Sequence, residues 1–295
     1  MERFIFDTQQ FKVCGIDENG YGPLLGPLVV TGVSMDVKGV DPLTACEIKG
    51  YRFPIPVKDS KEIFRRSEKS YAVGESIALT LLKAVSIEVD SLQEFLRKVC
   101  HYDNDLSAYG IEDLKIPAFG GKINYKLLDY LRVSGLILKE IHGEILMADK
   151  YNFYIENLGN KALLDLSCFV KVASRFNTEL YLLGKIGGTT HYGRFFEDLG
   201  LSYSVIKESF SHSVYKIQNL GELHFIMNGD SLYVPITFAG IIGKYLRELV
   251  MQSLSVALGF KDPIPYASGY FHDERTYKIM DALPPELKNR WVRVK

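Results

Sequence analysis

The chain has 295 residues, of which 47% are hydrophobic and 12% aromatic, enough to bury a sizeable core. Its net charge of −1 gives no overall attraction to nucleic acid, so such a partner would have to bind local basic patches, as at residues 57–69 and 288–295. No apolar run is long enough for a membrane span, and the first residues, MERFIFDTQQ, do not form a signal peptide, so we expect a cytoplasmic protein without a membrane partner.

The first predicted elements are strands at residues 11–16 and 26–34, which are short, apolar and rich in β-branched residues, with a Gly/Pro turn between them. A helix is predicted from Ser60, which is also its candidate N-cap, and a strand from residue 86. The region from roughly 100 to 150 is irregular apart from a helix-like stretch, LLDYLRVSGLILKEI at 127–141, and we interpret it as an insertion.

The second half of the chain alternates helical and strand patterns. A helix is predicted at residues 158–173 and the clearest helix of the chain at 236–258. Strands are predicted at residues 179–188, 202–208, 213–218 and 222–227, the last three as antiparallel hairpins. The alternation predicts an α/β protein with a mixed sheet, formed by residues 1–295 as a single domain with a helical part from about 236.

Three acidic residues occur where predicted strands end. Asp17 and Glu18 follow the first apolar run, and Asp230 follows the last one. Neighbouring like charges at a buried position are unfavourable unless a cation compensates them, and carboxylate oxygens are the ligands that Mg²⁺ and Mn²⁺ prefer. These acids are therefore candidate metal ligands, although turn and helix-capping roles would also suit acids at such positions.

The segment GIDENGYGPLLGPLVVTGV at residues 15–33 resembles the opening motif of the ribonuclease HII family. The resemblance continues in the same order through VKDSKEI at 57–63, NGDSLYVPITFAGIIGKYLREL at 228–249 and SGYF at 268–271. It implies a ribonuclease-H-like α/β fold with a mixed five-stranded sheet flanked by helices and a helical C-terminal extension.

The resemblance also implies a chemistry. In this family, carboxylates hold two Mg²⁺ or Mn²⁺ ions that drive hydrolysis of RNA in RNA/DNA hybrids or at ribonucleotides embedded in DNA. By position, Asp17, Glu18 and Asp230 would be the metal ligands and catalytic residues. The glycine turn would contact a ribose 2′-hydroxyl, the basic residues phosphates, and the late tyrosine a sugar. These nucleic-acid-binding positions are Gly20, Tyr21, Gly22, Lys61, Lys244, Arg247 and Tyr270.

One expected acid is missing. The fourth acid of the family would end the strand ELYLLG, where this chain has Gly184 followed by Lys185. Either the chain is an active nuclease, with the missing ligand replaced by water or by Asp198, Asp273 or Glu274, or it is an impaired relative that still binds nucleic acid. In a related hypothesis, Lys185 and the glycine-rich loop after it bind phosphate where the family binds metal.

Overall fold

The computed structural model describes residues 9–294, so residues 1–8 and Lys295, the end of the basic tail, lie outside it. Within this range the chain forms seven strands: β1 (Gln9–Asn19), β2 (Leu28–Gly39), β3 (Ile137–Leu146), β4 (Leu180–Gly184), β5 (Tyr203–Lys207), β6 (His212–Ile217) and β7 (Gly221–Ile226). They make one mixed sheet in the order β3-β2-β1-β4-β7-β6-β5.

The directions of the strands bring the end of β1 and the end of β4 to the same side of the sheet. β1 runs antiparallel to β2 but parallel to β4, and β4 runs parallel to β7. Because parallel strands end on the same side of a sheet, the acids that end β1 lie beside Gly184, which ends β4.

The helices cover both faces of the sheet. They are α1 (Pro42–Cys46), α2 (Ser60–Ile63), α3 (Glu68–Ala84), α4 (Leu92–Cys100), α5 (Tyr125–Val133), α6 (Ala148–Leu158), α7 (Lys161–Ala173), α8 (Gly193–Asp198), α9 (Gly229–Leu232), α10 (Val234–Ala257), α11 (Glu274–Ala282) and α12 (Pro285–Trp291). Among the described residues, no helix combines the length and apolarity that crossing a membrane requires.

The expected α/β class with a mixed sheet flanked by helices is confirmed, but the expected number of five strands is wrong, because the described residues form seven. The three hairpin strands predicted near the end are present as β5, β6 and β7, and they pair antiparallel. These strands extend the sheet beyond β4, so they add to its strand number.

Three local predictions differ from the structure. Residues 137–146, within the expected insertion, form β3 and pair with β2; their side chains alternate between buried and exposed, as at a sheet edge. The strand predicted from residue 86 is absent, since residues 86–90 form a loop. The helix at Ser60 is a single turn capped by Asp59, whose side chain accepts a hydrogen bond from the Lys61 backbone N–H at 2.8 Å.

The long helix α10 contacts β1 so closely that a side chain cannot fit between them at one point. A Cβ atom at Gly15 would lie 2.1 Å from the carbonyl carbon of Pro235. Val13 and Ile16 fill the core on the two sides of the sheet, with Val13 in the cluster that includes α10 and Ile16 in the cluster that includes α7. The glycine therefore fixes the distance between the acidic end of β1 and α10.

Substitution of Gly15 tests this close approach. We expect Gly15→Ala to lower the free energy of unfolding by about 1–3 kcal/mol or more, because the added methyl group must displace backbone. The matched control is Gly50→Ala, where an added Cβ would meet nothing within 4 Å. Urea unfolding of both variants measures the difference, and equal stability of the two would contradict the packing described here.

Candidate functional site

The carboxylates of Asp17 and Glu18 lie at the end of β1 and, as consecutive strand residues, point to opposite faces of the sheet. Asp17 is 8% exposed and faces α10, where a Cβ at Gly240 would lie 2.6 Å from its Oδ2 atom. A Cβ at Gly184 would lie 2.4 Å from Asp17 Oδ1 and 3.7 Å from Glu18 Oε2. The position that lacks the expected acid is thus in direct contact with the acidic pair.

Burial of these carboxyl groups makes their ionisation unfavourable. Burial raises the pKa of Asp17 well above its usual range, and the charges of Glu18 and Asp230 raise it further. The pKa of Glu18 is raised mainly by burial and then by the charge of Asp165. Burial, and then the charge of Asp59, raise the pKa of Asp230. The structure therefore brings the three predicted acids into one electrostatic neighbourhood.

Asp165 is an acidic residue at this site that the sequence analysis did not identify. It lies on α7, is 0% exposed, and neither of its carboxylate oxygens has a hydrogen-bond partner. Burial, followed by the charge of Asp17, raises its pKa well above the usual range. The signal in the sequence is a lone acid among apolar residues, in ALLDLSCFV at 162–170. A solvated helix face carries several polar or charged residues, so a single acid in such a run indicates a buried position.

Lys61 is the basic residue whose charge acts on all three predicted acids. It lowers the pKa of Asp17, Glu18 and Asp230. Although burial opposes it, the charges of Asp59 and these acids raise the pKa of Lys61 itself. The single ammonium group faces several carboxyl groups, so the site has an excess of acidic groups.

The donor chemistry of this site fits a hard divalent cation, because the oxygens come from buried carboxyl groups that lack sufficient positive charge nearby. Within residues 9–294, however, no three or more His, Cys, Asp or Glu side chains are arranged as a metal-ligand cluster. The residues fit the ion by charge and donor type, and their oxygens would have to draw together on binding.

The acids considered as replacements for the missing ligand are engaged elsewhere or exposed. Asp273 caps α11 and accepts a hydrogen bond from the Ser268 backbone N–H at 2.8 Å, and such hydrogen bonds outweigh its burial and lower its pKa to about 2. Asp198 and Glu274 are exposed. The buried acid next to the pair is Asp165 instead.

The predicted glycine turn adopts a conformation that favours glycine. Gly20 has a φ of +95°, and a Cβ there would lie 2.6 Å from the carbonyl oxygen of Pro27. A Cβ at Gly22 would lie 3.9 Å from the ring of Tyr270, so these two positions share one surface. The charges of Asp165 and Glu18, after burial, raise the pKa of Tyr21, so the turn lies next to the acids.

Two of the predicted phosphate contacts are mainly internal. Arg247 is 1% exposed and donates hydrogen bonds to the carbonyl oxygens of Leu25 at 3.1 Å and Ser268 at 3.2 Å. Lys244 forms an ion pair with the buried Glu248 on the next turn of α10. The shared helix face inferred from their spacing points into the protein, and so the expectation that Arg247 contacts phosphate is wrong.

A second arginine, Arg293, also donates hydrogen bonds to backbone carbonyl oxygens inside the protein. Arg293 from the basic tail is 4% exposed and its Nε donates to the Gly26 carbonyl oxygen at 2.7 Å, while Nη1 donates to that of Gly20. Arg247 and Arg293 therefore support the glycine turn from inside the protein.

Lys185 points away from the acids. Its Nζ donates to the Phe210 carbonyl oxygen at 2.6 Å and lies 4.5 Å from the centre of the Phe210 ring. Its charge is thus directed to the loop between β5 and β6.

Comparison with known proteins finds sequences and solved structures that are similar to this chain. No protein-family model matches the chain. Ribonuclease HII of Sulfolobus acidocaldarius is 40% identical over 81 residues, 26% of this chain and 34% of that protein, so this match spans about a third of the relative. Ribonuclease HII of Saccharolobus solfataricus is 23% identical over 287 residues, 94% of this chain and 89% of that protein. The solved ribonuclease H2 of Pyrococcus horikoshii has 18% identity and a TM-score of 0.47, covering 95% of this chain and 94% of that one.

The raised pKa of Asp17 predicts how stability depends on pH without metal. A carboxyl group with a raised pKa in the folded state loses its stabilising contribution as pH rises through that pKa. In chelator-treated protein, Asp17→Asn should therefore raise the melting temperature relative to wild type at pH 8, and the difference should shrink toward pH 5. Calorimetry at both pH values measures it, and a lower melting temperature for the variant at pH 8 would contradict the electrostatics described here.

The hydrogen bonds of Arg247 predict a role in stability. Arg247→Gln should lower the free energy of unfolding by about 2–4 kcal/mol, because it leaves buried carbonyl oxygens without their charged donor. The control is Arg132→Gln, where the side chain is 70% exposed and the expected change is below about 0.5 kcal/mol. Chemical denaturation compares them, and a stable Arg247→Gln protein would count against the internal role.

Proposed function

Because the chain belongs to the ribonuclease HII family, of which it is a divergent member, we propose that it is a nucleic-acid-binding hydrolase that depends on Mg²⁺ or Mn²⁺. Its proposed substrates are RNA in RNA/DNA hybrids and ribonucleotides embedded in DNA. The observation that supports this most is the group of mutually interacting, buried carboxyl groups at the end of β1, with Asp230 from the adjacent α9. A structural role alone gives no reason to keep three acids together with a single lysine acting on all of them.

Asp17, Glu18 and Asp230 would hold the cation. A bound divalent ion supplies Lewis-acid stabilisation of phosphoryl oxygens and promotes the ionisation of water. The protein's own contribution is positional, since Gly15 and Gly240 let α10 approach β1 closely and so fix the Asp17 carboxylate. Lys61 lies where it can contact a phosphate next to the acids, and the resulting salt dependence would be its signature.

The substrate would lie across the surface shared by Gly22 and Tyr270. The closeness of this turn to the Tyr270 ring supports the proposal, because the exposed backbone of Gly22 has no side chain of its own to keep a sugar away. Contacts to the 2′-hydroxyl at this turn would distinguish RNA from DNA. Arg247 and Arg293 would act indirectly, by holding the turn in place.

A second candidate function is nucleic-acid binding without efficient cleavage. Two observations favour it: Gly184 supplies no carboxylate next to Asp17, and no ready-made metal-ligand cluster exists in the part of the chain that the structure describes. Loss of one member of a catalytic unit commonly removes most of its activity, because the members act together.

Cleavage assays distinguish the two functions. We expect wild-type protein to cut a labelled RNA/DNA hybrid or a DNA duplex with one ribonucleotide when Mg²⁺ or Mn²⁺ is present, and Asp17→Asn to lower kcat by about 10³-fold or more. The control Asp36→Asn alters a buried acid that pairs with Lys139 on the neighbouring strand, and it should retain activity.

Gly184→Asp completes the experiment by restoring the expected acid. If this variant cuts and wild type does not, the natural protein has lost its chemistry and the binding function is correct. The restored side chain requires Asp17 to rotate, because its Cβ would lie 2.4 Å from the present position of Asp17 Oδ1.

A further inference from the structure

Asp165 is a buried acidic residue whose carboxyl oxygens have no hydrogen-bond partner. It lies in the first half of α7, between the buried residues Leu164 and Leu166. An unpartnered polar group at a fully buried position costs free energy of folding, so a structural role does not account for it.

Two other buried carboxylates, those of Glu75 and Glu248, have hydrogen-bond partners, whereas that of Asp165 has none. Glu75 is also 0% exposed, but it accepts hydrogen bonds from the backbone N–H groups of Ala118, Phe119 and Gly121 at 2.6–2.8 Å and from the Tyr245 hydroxyl at 2.7 Å. Glu248 accepts a hydrogen bond from the Tyr71 hydroxyl and pairs with Lys244. These carboxylates serve the fold, whereas Asp165 has both oxygens free for another ligand.

The position of Asp165 directs it to the acidic pair. Helix α7 packs against β1 on the face to which Glu18 points, and Leu164, Ile16 and Leu183 share the core there. The charge of Asp165 acts on Glu18 and that of Asp17 acts on Asp165. Asp165 thus lies on α7, on the Glu18 side of the sheet, and interacts electrostatically with the same acids that Gly184 contacts from β4.

We propose that Asp165 is a metal ligand of this site and supplies, from α7, the carboxylate that the chain lacks at Gly184. The proposal rests on the metal binding proposed above and names a residue that the family motifs do not include. Asp165, Glu18 and Asp17 would then bind a divalent cation together.

An ion pair with Arg293 is the competing explanation. The charge of Arg293 lowers the pKa of Asp165, and its Nη2 atom is buried without a partner. The two groups are not bonded to each other, however, since neither Asp165 oxygen nor Nη2 has a hydrogen bond. Arg293 uses its Nε and Nη1 atoms on the Gly26 and Gly20 carbonyl oxygens. A structural partner of Arg293 and a metal ligand respond differently when Asp165 is neutralised.

The experiment titrates Mn²⁺ into chelator-treated protein at pH 7.5, using calorimetry and the electron paramagnetic resonance signal of free Mn²⁺. The variants are Asp165→Asn, which keeps the side-chain shape, and Asp36→Asn, a buried acid outside the site. We expect Asp165→Asn to raise the Kd for Mn²⁺ at least about 10-fold and Asp36→Asn to leave it unchanged. Without metal, the melting temperature of Asp165→Asn should equal or exceed that of wild type, because no partner is lost.

The outcomes separate this inference from the proposed function. If wild type does not bind Mn²⁺, the proposed function fails. If wild type binds and Asp165→Asn binds equally well, only the inference fails. A metal-free Asp165→Asn protein that does not fold, or that melts lower by the same amount with and without Mn²⁺, identifies a structural partner of Arg293 and also overturns the inference. Recovery of Mn²⁺ affinity in Asp165→Asn on adding Gly184→Asp would support it independently.

Discussion

The burial of several carboxyl groups at one end of a strand is the constraint on which the rest of this structure depends. Like charges that are shielded from water repel each other. The arrangement is stable only if the backbone packs closely around the carboxyl groups and a cation compensates their charge. The chain provides the backbone through glycines: Gly15, Gly184 and Gly240 leave the space that β1 and the Asp17 carboxylate occupy. The compensating charges that act on these acids are those of Lys61, on Asp17, Glu18 and Asp230, and of Arg293, on Asp165. The acids outnumber these cations, and this imbalance is the physical reason to expect a metal.

The basic residues divide into two groups with different roles. Arg247 and Arg293 are buried and donate to carbonyl oxygens of the segment from Gly20 to Gly26 and to that of Ser268, so they form the turn's support. Lys61 is exposed and its charge acts on the acids, so in the proposed function it is the residue that would meet a substrate phosphate. Because these two arginines lie beneath the turn, the sugar contact of the proposed function would fall to the surface that Gly22 shares with Tyr270.

The sequence predicts the fold class and, through the order of the motifs that resemble ribonuclease HII, the place of Asp17 and Glu18 at the end of a strand; the acids alone would also suit a turn or a helix cap. It also places Gly184 beside them through the order of the motifs. The sequence does not reveal the role of Asp165. A single acid in an apolar helix indicates that its side chain is buried, but not which residues that side chain faces. Arg247 is wrongly expected at the surface, since spacing along α10 defines a shared face but not its direction, and this helix is buried over most of its length. β3 is missed because its first residues continue the helix-like apolar spacing of LLDYLRVSGLILKEI at 127–141, although α5 ends at Val133 and β3 begins at Ile137.

The most direct test of the central claim is the anomalous scattering of Mn²⁺ in crystals of the wild-type protein soaked with that ion. The account predicts an anomalous peak at the end of β1, within bonding distance of carboxylate oxygens of Asp17 and Glu18. Absence of a peak there at saturating Mn²⁺, with the Lys61 ammonium group instead paired directly with those carboxylates, would contradict it. The site would then be an internally compensated acidic cluster and not a metal centre.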